Sequence, residues 1–427
     1  MSRLTARLAS GVALVGLLAF VALTAAILVQ RGPFRFVGID FVSYYSAARM
    51  VAEGRPRSMY DPLAMQALED ELLAPWGWEP DSAVYPFFLN PPAMALLVLP
   101  LTALPLATAL LVWELIGIGA SLATAVLLGR RAWGTVSASR TLVLLAFYPA
   151  LFGLFYGQIA AVMVLCLALS YLALKDGQDL KAGLIASSLL LLKPQYAPPL
   201  ILALAMHRRW RAIGGIAVGG LALAALSLAV IGPAGVSDYL RFMRSVGSYG
   251  PDAVADTTPY TMVSWRGLLN ALAPGLSAPT GFVITALLSL VAVAAALFAF
   301  RGQWAPNSYR FDRGMLLLFI AALFAAFHSN VHGLSILLVP GVFLVASREG
   351  GLAQRWAPIG FALPSLVFLA FGTDLVTQGV VLAVGLIATF ALLLWEALRD
   401  PEHLNPGSEP FAEERVTAAP GGSPPPR

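Results

Sequence analysis

The chain has one cysteine and four histidines in 427 residues, and only 12% of its residues are charged. Cys166 lies inside an apolar run, so a disulfide framework and a cysteine metal cluster are both excluded. Its expected part is that of a small apolar packing residue. Soluble domains carry about 25% charged residues. With 59% hydrophobic residues and a mean hydropathy of +0.78, this chain is a polytopic membrane protein. Also missing are a GxxxxGK[ST] phosphate loop, a Rossmann fingerprint, an HExxH pair and a basic stripe interleaved with aromatics. Soluble nucleotide chemistry and nucleic-acid binding are therefore not expected. The net charge of +4 comes from short basic clusters scattered between apolar runs, which is the pattern of a topology signal.

What is present is a series of apolar runs near 10–29, 106–128, 141–156, 158–174, 182–193, 196–206, 212–231, 279–300, 314–328, 331–347, 356–372 and 376–398. Several are shorter than the roughly 20 residues a straight span needs. The breaks at Gly157-Gln158, at Lys193-Pro194 and from His328 to His332 are read as tight hairpins or broken helices. Irregular backbone at membrane depth survives only inside protein or beside a water-filled cavity, so all three are candidate cavity-lining segments. The basic N-terminus followed by a long apolar run is read as an uncleaved first span, not a signal peptide. Twelve passes with the N-terminus in the cytoplasm put Arg130/Arg131/Arg140, Lys175/Lys181, Arg208/Arg209/Arg211, Arg301/Arg310/Arg313, Arg348/Arg355 and Arg399 on the cytoplasmic side. The expectation is an all-α membrane protein of about 10–12 transmembrane helices over residues 1–400, with structured outer loops at about 30–91 and 232–278. A polar, proline-rich tail over 401–427 is expected to be disordered in the cytoplasm. No internal repeat is evident, which counts against many transporter architectures.

Asp40 is the leading candidate for chemistry, because it follows the first span at the level where the chain meets water. A carboxylate there is either a general base or an ordinary helix cap, since residues 41–51 read as a helix ended by Gly54. Tyr44, Tyr45 and Arg49 follow on that helix, as site groups or as an interfacial belt. Gln158 is an amide with apolar chain on both sides, and Lys193 is a cation flanked by leucines and Pro194. A lysine at that depth is expensive and faces a partner, a cavity or a phosphate, or else snorkels to the interface. His328 and His332 stand at i, i+4 with no nearby carboxylate or thiol to complete a metal shell. Hydrogen bonding to sugar or phosphate fits them better, and no metal is expected. Arg266 follows Trp265 in the second loop, an aromatic platform beside a cation.

The pattern Asp40-Phe41-x-x-Tyr44-Tyr45-x-Ala47-Ala48-x-x-Val51-x-x-Gly54, then Tyr60, Tyr85-Pro86, Pro91-Pro92 and Pro100-Leu101-x-x-Leu104-Pro105, resembles the first loop of glycosyltransferase family 87. Gly157-Gln158, Lys193-Pro194 and the histidine hairpin before Pro340 look like that family's later landmarks, so the likeness covers roughly residues 8–345. It implies a C-type glycosyltransferase fold and transfer of a hexose, typically mannose, from a polyprenyl-phosphate carrier to a glycolipid or glycan acceptor of the cell envelope. The reaction would run on the outer face of the plasma or inner membrane, among membrane lipids, without a cofactor. The likeness casts Asp40 as general base and His332 as its assistant, with Tyr44, Tyr45, Arg49, Gln158, Lys193, Arg266 and His328 around the donor. Two departures are Ala160 or Ala161 where the family often has Asn, and Gly333 where it often has an acidic residue. The rival reading is a transporter or flippase for a lipid-linked or small polar substrate, which an intramembrane Lys193 and two histidines would also suit.

Overall fold

The computed structural model describes residues 3–34, 36–77, 87–247, 261–347 and 351–399. The tail over 401–427, Tyr85-Pro86, Tyr260 and Arg348 lie outside the described residues. Within them the chain is helical and contains no strand. The first span α1 (Arg3–Arg31) is followed by α2 (Ile39–Ala52), a 3-10 segment (Pro56–Tyr60) and α3 (Pro62–Leu73), so the first loop is built of helices. Gly54 takes a φ of 73° just past α2, the stop that the sequence predicts.

Short α4 (Met94–Val98) leads into α5 (Leu106–Trp133). The run near 141–156 is a pair, α6 (Ala138–Leu145) and α7 (Tyr148–Phe155), bent by 59°. Then come α8 (Ala160–Lys175), α9 (Asp179–Ala186), α10 (Ser188–Leu192), α11 (Ala197–Met206) and α12 (Trp210–Gly247). After α13 (Trp265–Leu272) and α14 (Ala278–Phe300) comes α15 (Tyr309–Ala325). The chain closes with a 3-10 turn (Val331–Leu337), α16 (Leu338–Ala346), α17 (Leu352–Phe371) and α18 (Leu375–Leu398).

Among the described residues six helices are long and apolar enough to cross a membrane alone, or seven if the bent α6–α7 pair is one span. Other apolar runs in the expected count of ten to twelve resolve into shorter helices such as α8, α9, α10 and α11. Hydropathy registers an apolar run whether or not its axis stays straight. The second loop also begins differently. Gly232 has φ 66° and ψ 174° ahead of Pro233, so α12 kinks where the span was expected to end and then continues as helix.

α15 forms the centre: Phe311 through Phe324 are buried without interruption, so every side of the helix is covered by protein. The outer helices show the reverse. Leu18 on α1, Leu221 on α12 and Leu290 on α14 are 67–72% exposed, faces suited to lipid.

Two polar ends follow from the path of α5 and α8. Both start beside Gly157-Gln158, and both finish at a basic end where Arg131 pairs with Asp176 at 2.9 Å. There Lys175 Nζ lies 2.6 Å from Asp312, both side chains almost fully covered, beneath the rings of Tyr171, Phe311 and Phe343. Removing one partner of such a pair leaves an unpaired buried charge, a loss of about 3–5 kcal/mol. Asp312→Ala is expected to lower the thermal midpoint in detergent sharply. The double replacement Lys175→Met with Asp312→Leu should recover most of that loss.

Candidate active site

The site begins with a backbone contact. Gly38, at φ 76°, precedes α2 and donates its N–H to the Phe155 carbonyl at 2.8 Å. Asp40 N–H donates to the Tyr156 carbonyl at 2.9 Å, so the α7–α8 turn accepts hydrogen bonds that the first turn of α2 cannot make internally. Gly157 sits in that turn at φ 73°, where a Cβ would stand 2.8 Å from Phe41 Cβ and 3.2 Å from Gly38 Cα. Only glycine allows the two backbones to meet so closely. Trp113 Nε1 donates to the Gly157 carbonyl at 2.9 Å and fixes the turn from the α5 side.

That contact aims the Asp40 side chain. Gly38 holds the cap position and no side chain caps α2, so the helix-cap reading of Asp40 does not hold. Its Oδ2 instead accepts from Gln158 Nε2 at 2.5 Å, and Gln158 Oε1 accepts from the Tyr44 hydroxyl at 2.9 Å. With both ends of the amide engaged, Gln158 has one orientation. Burial pushes the Asp40 carboxyl above its ordinary range, while the Gln158 hydrogen bond and then the charges of Lys193 and His328 pull it back. Asp40 nevertheless keeps part of its surface open.

The other two breaks close on the same point. Pro194 offers no N–H, and the chain turns sharply at Lys193. Asn90 Nδ2 donates to the freed carbonyls of Leu192 at 2.7 Å and Leu191 at 3.3 Å, while the Tyr60 hydroxyl holds the Asn90 carbonyl at 2.8 Å. On the far side of Lys193, Gln195 Nε2 donates to the His328 carbonyl at 3.1 Å, and the Tyr196 and Ser329 hydroxyls lie 3.0 Å apart. The second loop joins in through Val263 N–H to the Ser329 carbonyl at 2.8 Å. His332 is buried against α7, its Cβ beside Gly153, and lies within electrostatic reach of Lys193 and His328.

Asp40, Tyr44, Gln158, Lys193, His328 and His332 are thus brought together. Three other sequence candidates do different work. The Tyr45 hydroxyl donates to the Leu104 carbonyl at 2.9 Å and anchors α2 to the approach of α5. Arg49 pairs with Glu53 at 2.8 Å. It stands nine residues from Asp40, about two and a half turns, and so on the opposite face of α2. Arg266 is buried and donates to the Phe327 carbonyl at 3.1 Å, bracing the histidine segment from behind.

Asn90, Gln195, Tyr196 and Ser329 are the supporting groups that sequence reasoning missed. Asn90 reads in sequence as part of a proline-rich turn, and only its reach across 101 residues to the Lys193 break shows its use. The Gly333 departure also has a physical reason. A Cβ there would run into the Tyr196 hydroxyl and Ser329, which fill that space. Among the described residues no three His, Cys, Asp or Glu side chains gather as a metal site.

The sequence model for glycosyltransferase family 87 matches residues 88–329, more than half of the chain. The chain belongs to glycosyltransferase family 87. The matched stretch of this family 87 protein contains Gln158, Lys193, Arg266 and His328; Asp40 precedes it and His332 lies just beyond. No curated protein and no solved structure matches the chain.

The Gly157 contact gives a direct test. Gly157→Ala combines a left-handed backbone, about 1–2 kcal/mol for an L-residue, with a collision against Phe41. It should lower the thermal midpoint and open the first loop to limited proteolysis. Gly129→Ala, in the interior of α5 with nothing within 4 Å of its Cβ, should leave proteolysis unchanged and hold or slightly raise the midpoint.

Proposed function

We propose that this membrane glycosyltransferase moves a hexose, taken here as mannose, from a polyprenyl-phosphate carrier to a hydroxyl of a cell-envelope glycolipid or glycan. The reaction inverts the anomeric centre, with Asp40 as the base. The observation that carries this reading is the placement of one half-open carboxylate, gripped by Gln158, within the field of Lys193 and His328.

In this mechanism the acceptor hydroxyl loses its proton to Asp40 as its oxygen attacks the anomeric carbon. The bond from that carbon to the phosphate oxygen breaks, and its electron pair leaves with the polyprenyl phosphate. Attack opposite the leaving group turns a β-linked donor into an α-linked product and needs a single base. Lys193 neutralises the charge that grows on the departing phosphate, a task worth most in a site of low dielectric. His328 and His332, at the same break, supply hydrogen bonds to the phosphate or the sugar. Arg266 acts indirectly, by holding the backbone ahead of His328. The lipid-facing exposure of α1, α12 and α14 suits a donor that arrives in the bilayer. Arg131, Lys175, Arg209 and Arg313 gather at the end remote from Asp40, which the positive-inside rule makes cytoplasmic. Asp40 then faces outward in a multi-pass protein of the plasma or inner membrane.

Purified protein incubated with polyprenyl phosphomannose and a mannoside acceptor should transfer the sugar equally well with and without EDTA. Asp40→Asn should reduce transfer by about 10²–10⁴; full activity in that variant would remove Asp40 as the base. The pH profile gives a second check. Because the carboxylate is the active form and burial raises its pKa, the acid limb of kcat/KM should lie above the ordinary Asp range. Gln158→Leu removes a bond that favours the charged form, so the limb should move to still higher pH.

A further inference from the structure

A cavity of about 530 Å³ lies among α1, α6, α16, α17 and α18, with Leu316 and Ile320 of the central α15 on its wall. Cavities of roughly 300–1,000 Å³ are the size that holds a small ligand. Apart from Ser10, Ser139, Arg140 and Thr389 the lining is apolar. Missing side chains shape two of its walls. Gly341 on α16 and Gly360 on α17 both line it, and a Cβ at either would meet no neighbouring atom within 4 Å. Protein interiors are close-packed, so space kept open along two neighbouring helices calls for an apolar occupant. Leu142 and Gly360 are exposed and mark where the cavity reaches the lipid-facing surface.

The charged end of the cavity is the basic end of the bundle. Trp133 is the last residue of α5, just past the Arg131–Asp176 pair, and the Arg140 guanidinium stands over its ring at 5.1 Å. Arg140 is the only charged residue among the described residues that line the cavity, and it is exposed. At the same end Arg131, Lys175, Arg209 and Arg313 each pair with a carboxylate. Arg140 makes no ion pair among the described residues, so its charge is open to an anion from outside the chain. A tryptophan and an arginine at the mouth of an apolar slot sit where a lipid headgroup meets its chains.

We propose that this cavity binds an anionic phospholipid of the leaflet at the basic end, with one acyl chain beside Gly341 and Gly360 and its phosphate at Arg140. Along α17 the lining runs from Ala357 to Pro364, about 10 Å at 1.5 Å per residue. One leaflet's hydrocarbon is roughly 15 Å deep, so the slot takes most of a chain entering from that side. The orientation proposed above makes this the cytoplasmic leaflet, where basic pockets between spans meet acidic headgroups. The donor's polyprenyl phosphate is not the occupant, because its phosphate is assigned to Lys193 at the other end. The lipid site is separate from Asp40 and stands apart from the transferase chemistry.

For the test, full-length protein is stripped of lipid in a maltoside detergent. Native mass spectrometry then reads binding of dioleoyl phosphatidylglycerol, dioleoyl phosphatidylcholine and polyprenyl phosphate. The wild type is expected to bind one phosphatidylglycerol at least fivefold tighter than phosphatidylcholine. Arg140→Gln should remove most of that preference, since one basic group at an anionic surface is worth about fivefold. Gly341→Leu and Gly360→Leu should each weaken phosphatidylglycerol at least tenfold, because the new side chain fills the slot. Their lipid-free thermal midpoints should hold or rise, since each removes a glycine from a helix. Equal binding of the two phospholipids by the wild type overturns the proposal, as does a wild type that binds neither. So does wild-type phosphatidylglycerol binding in Arg140→Gln or in a folded glycine variant. Polyprenyl phosphate that displaces phosphatidylglycerol at equal or lower concentration also overturns it, and assigns the cavity to the donor's chain. If both glycine variants unfold, Arg140→Gln still decides, because its side chain is exposed.

Discussion

The site depends on a place where two pieces of backbone touch: the α7–α8 turn at Gly157 and the first turn of α2 at Gly38 and Phe41. One piece belongs to the apolar bundle and the other to the loop that follows the first span. Two amide-to-carbonyl bonds register them, and every later feature inherits that register. Gln158 meets Asp40 because its neighbour Tyr156 has already accepted the Asp40 amide. The other breaks are joined by the same kind of economy. Asn90 and Gln195 use side-chain amides to satisfy carbonyls that an unbroken helix would have used internally. Broken backbone at this depth is therefore stabilised by neutral side-chain amides.

Scarcity of charge shapes the electrostatics. In a chain with 12% charged residues the few ions inside act over long distances, since little polar material screens them. The protein keeps them in two groups. At the basic end Lys175 and Asp312 neutralise one another within an aromatic enclosure. At the other end Asp40 and Lys193 influence one another, with an amide between the carboxylate and Tyr44.

How much of this was legible follows from what each residue costs. Lys193, Gln158 and the two histidines interrupt apolar runs, and an interruption at membrane depth is visible because it is expensive. Asp40 was visible from its place after the first span, and Tyr44 from its spacing of one helical turn. Arg49 shares the helix but not the face, a distinction that proximity in sequence hides and angular position reveals. Tyr45 and Arg266 read in sequence as substrate groups, and in the structure each donates to a backbone carbonyl, 59 and 61 residues away respectively, contacts that sequence does not display. The span count reads differently for a related reason: several apolar runs fold as shorter helices, and among the described residues six helices are long and apolar enough to cross alone.

The kink in α12 ties the lysine to the bilayer in mechanical terms. Beyond Gly232 the helix carries Asp238 against Arg57 and Tyr239 against Tyr60, whose rings lie 4.9 Å apart. Tyr60 grips Asn90, and Asn90 grips the carbonyl of Leu192. The helix beyond that glycine therefore connects, through an aromatic pair, a side-chain amide and a carbonyl, to the residue before Lys193. One end of a span with an exposed apolar flank is thus joined, through a ring pair and two hydrogen bonds, to the backbone that seats the site's cation.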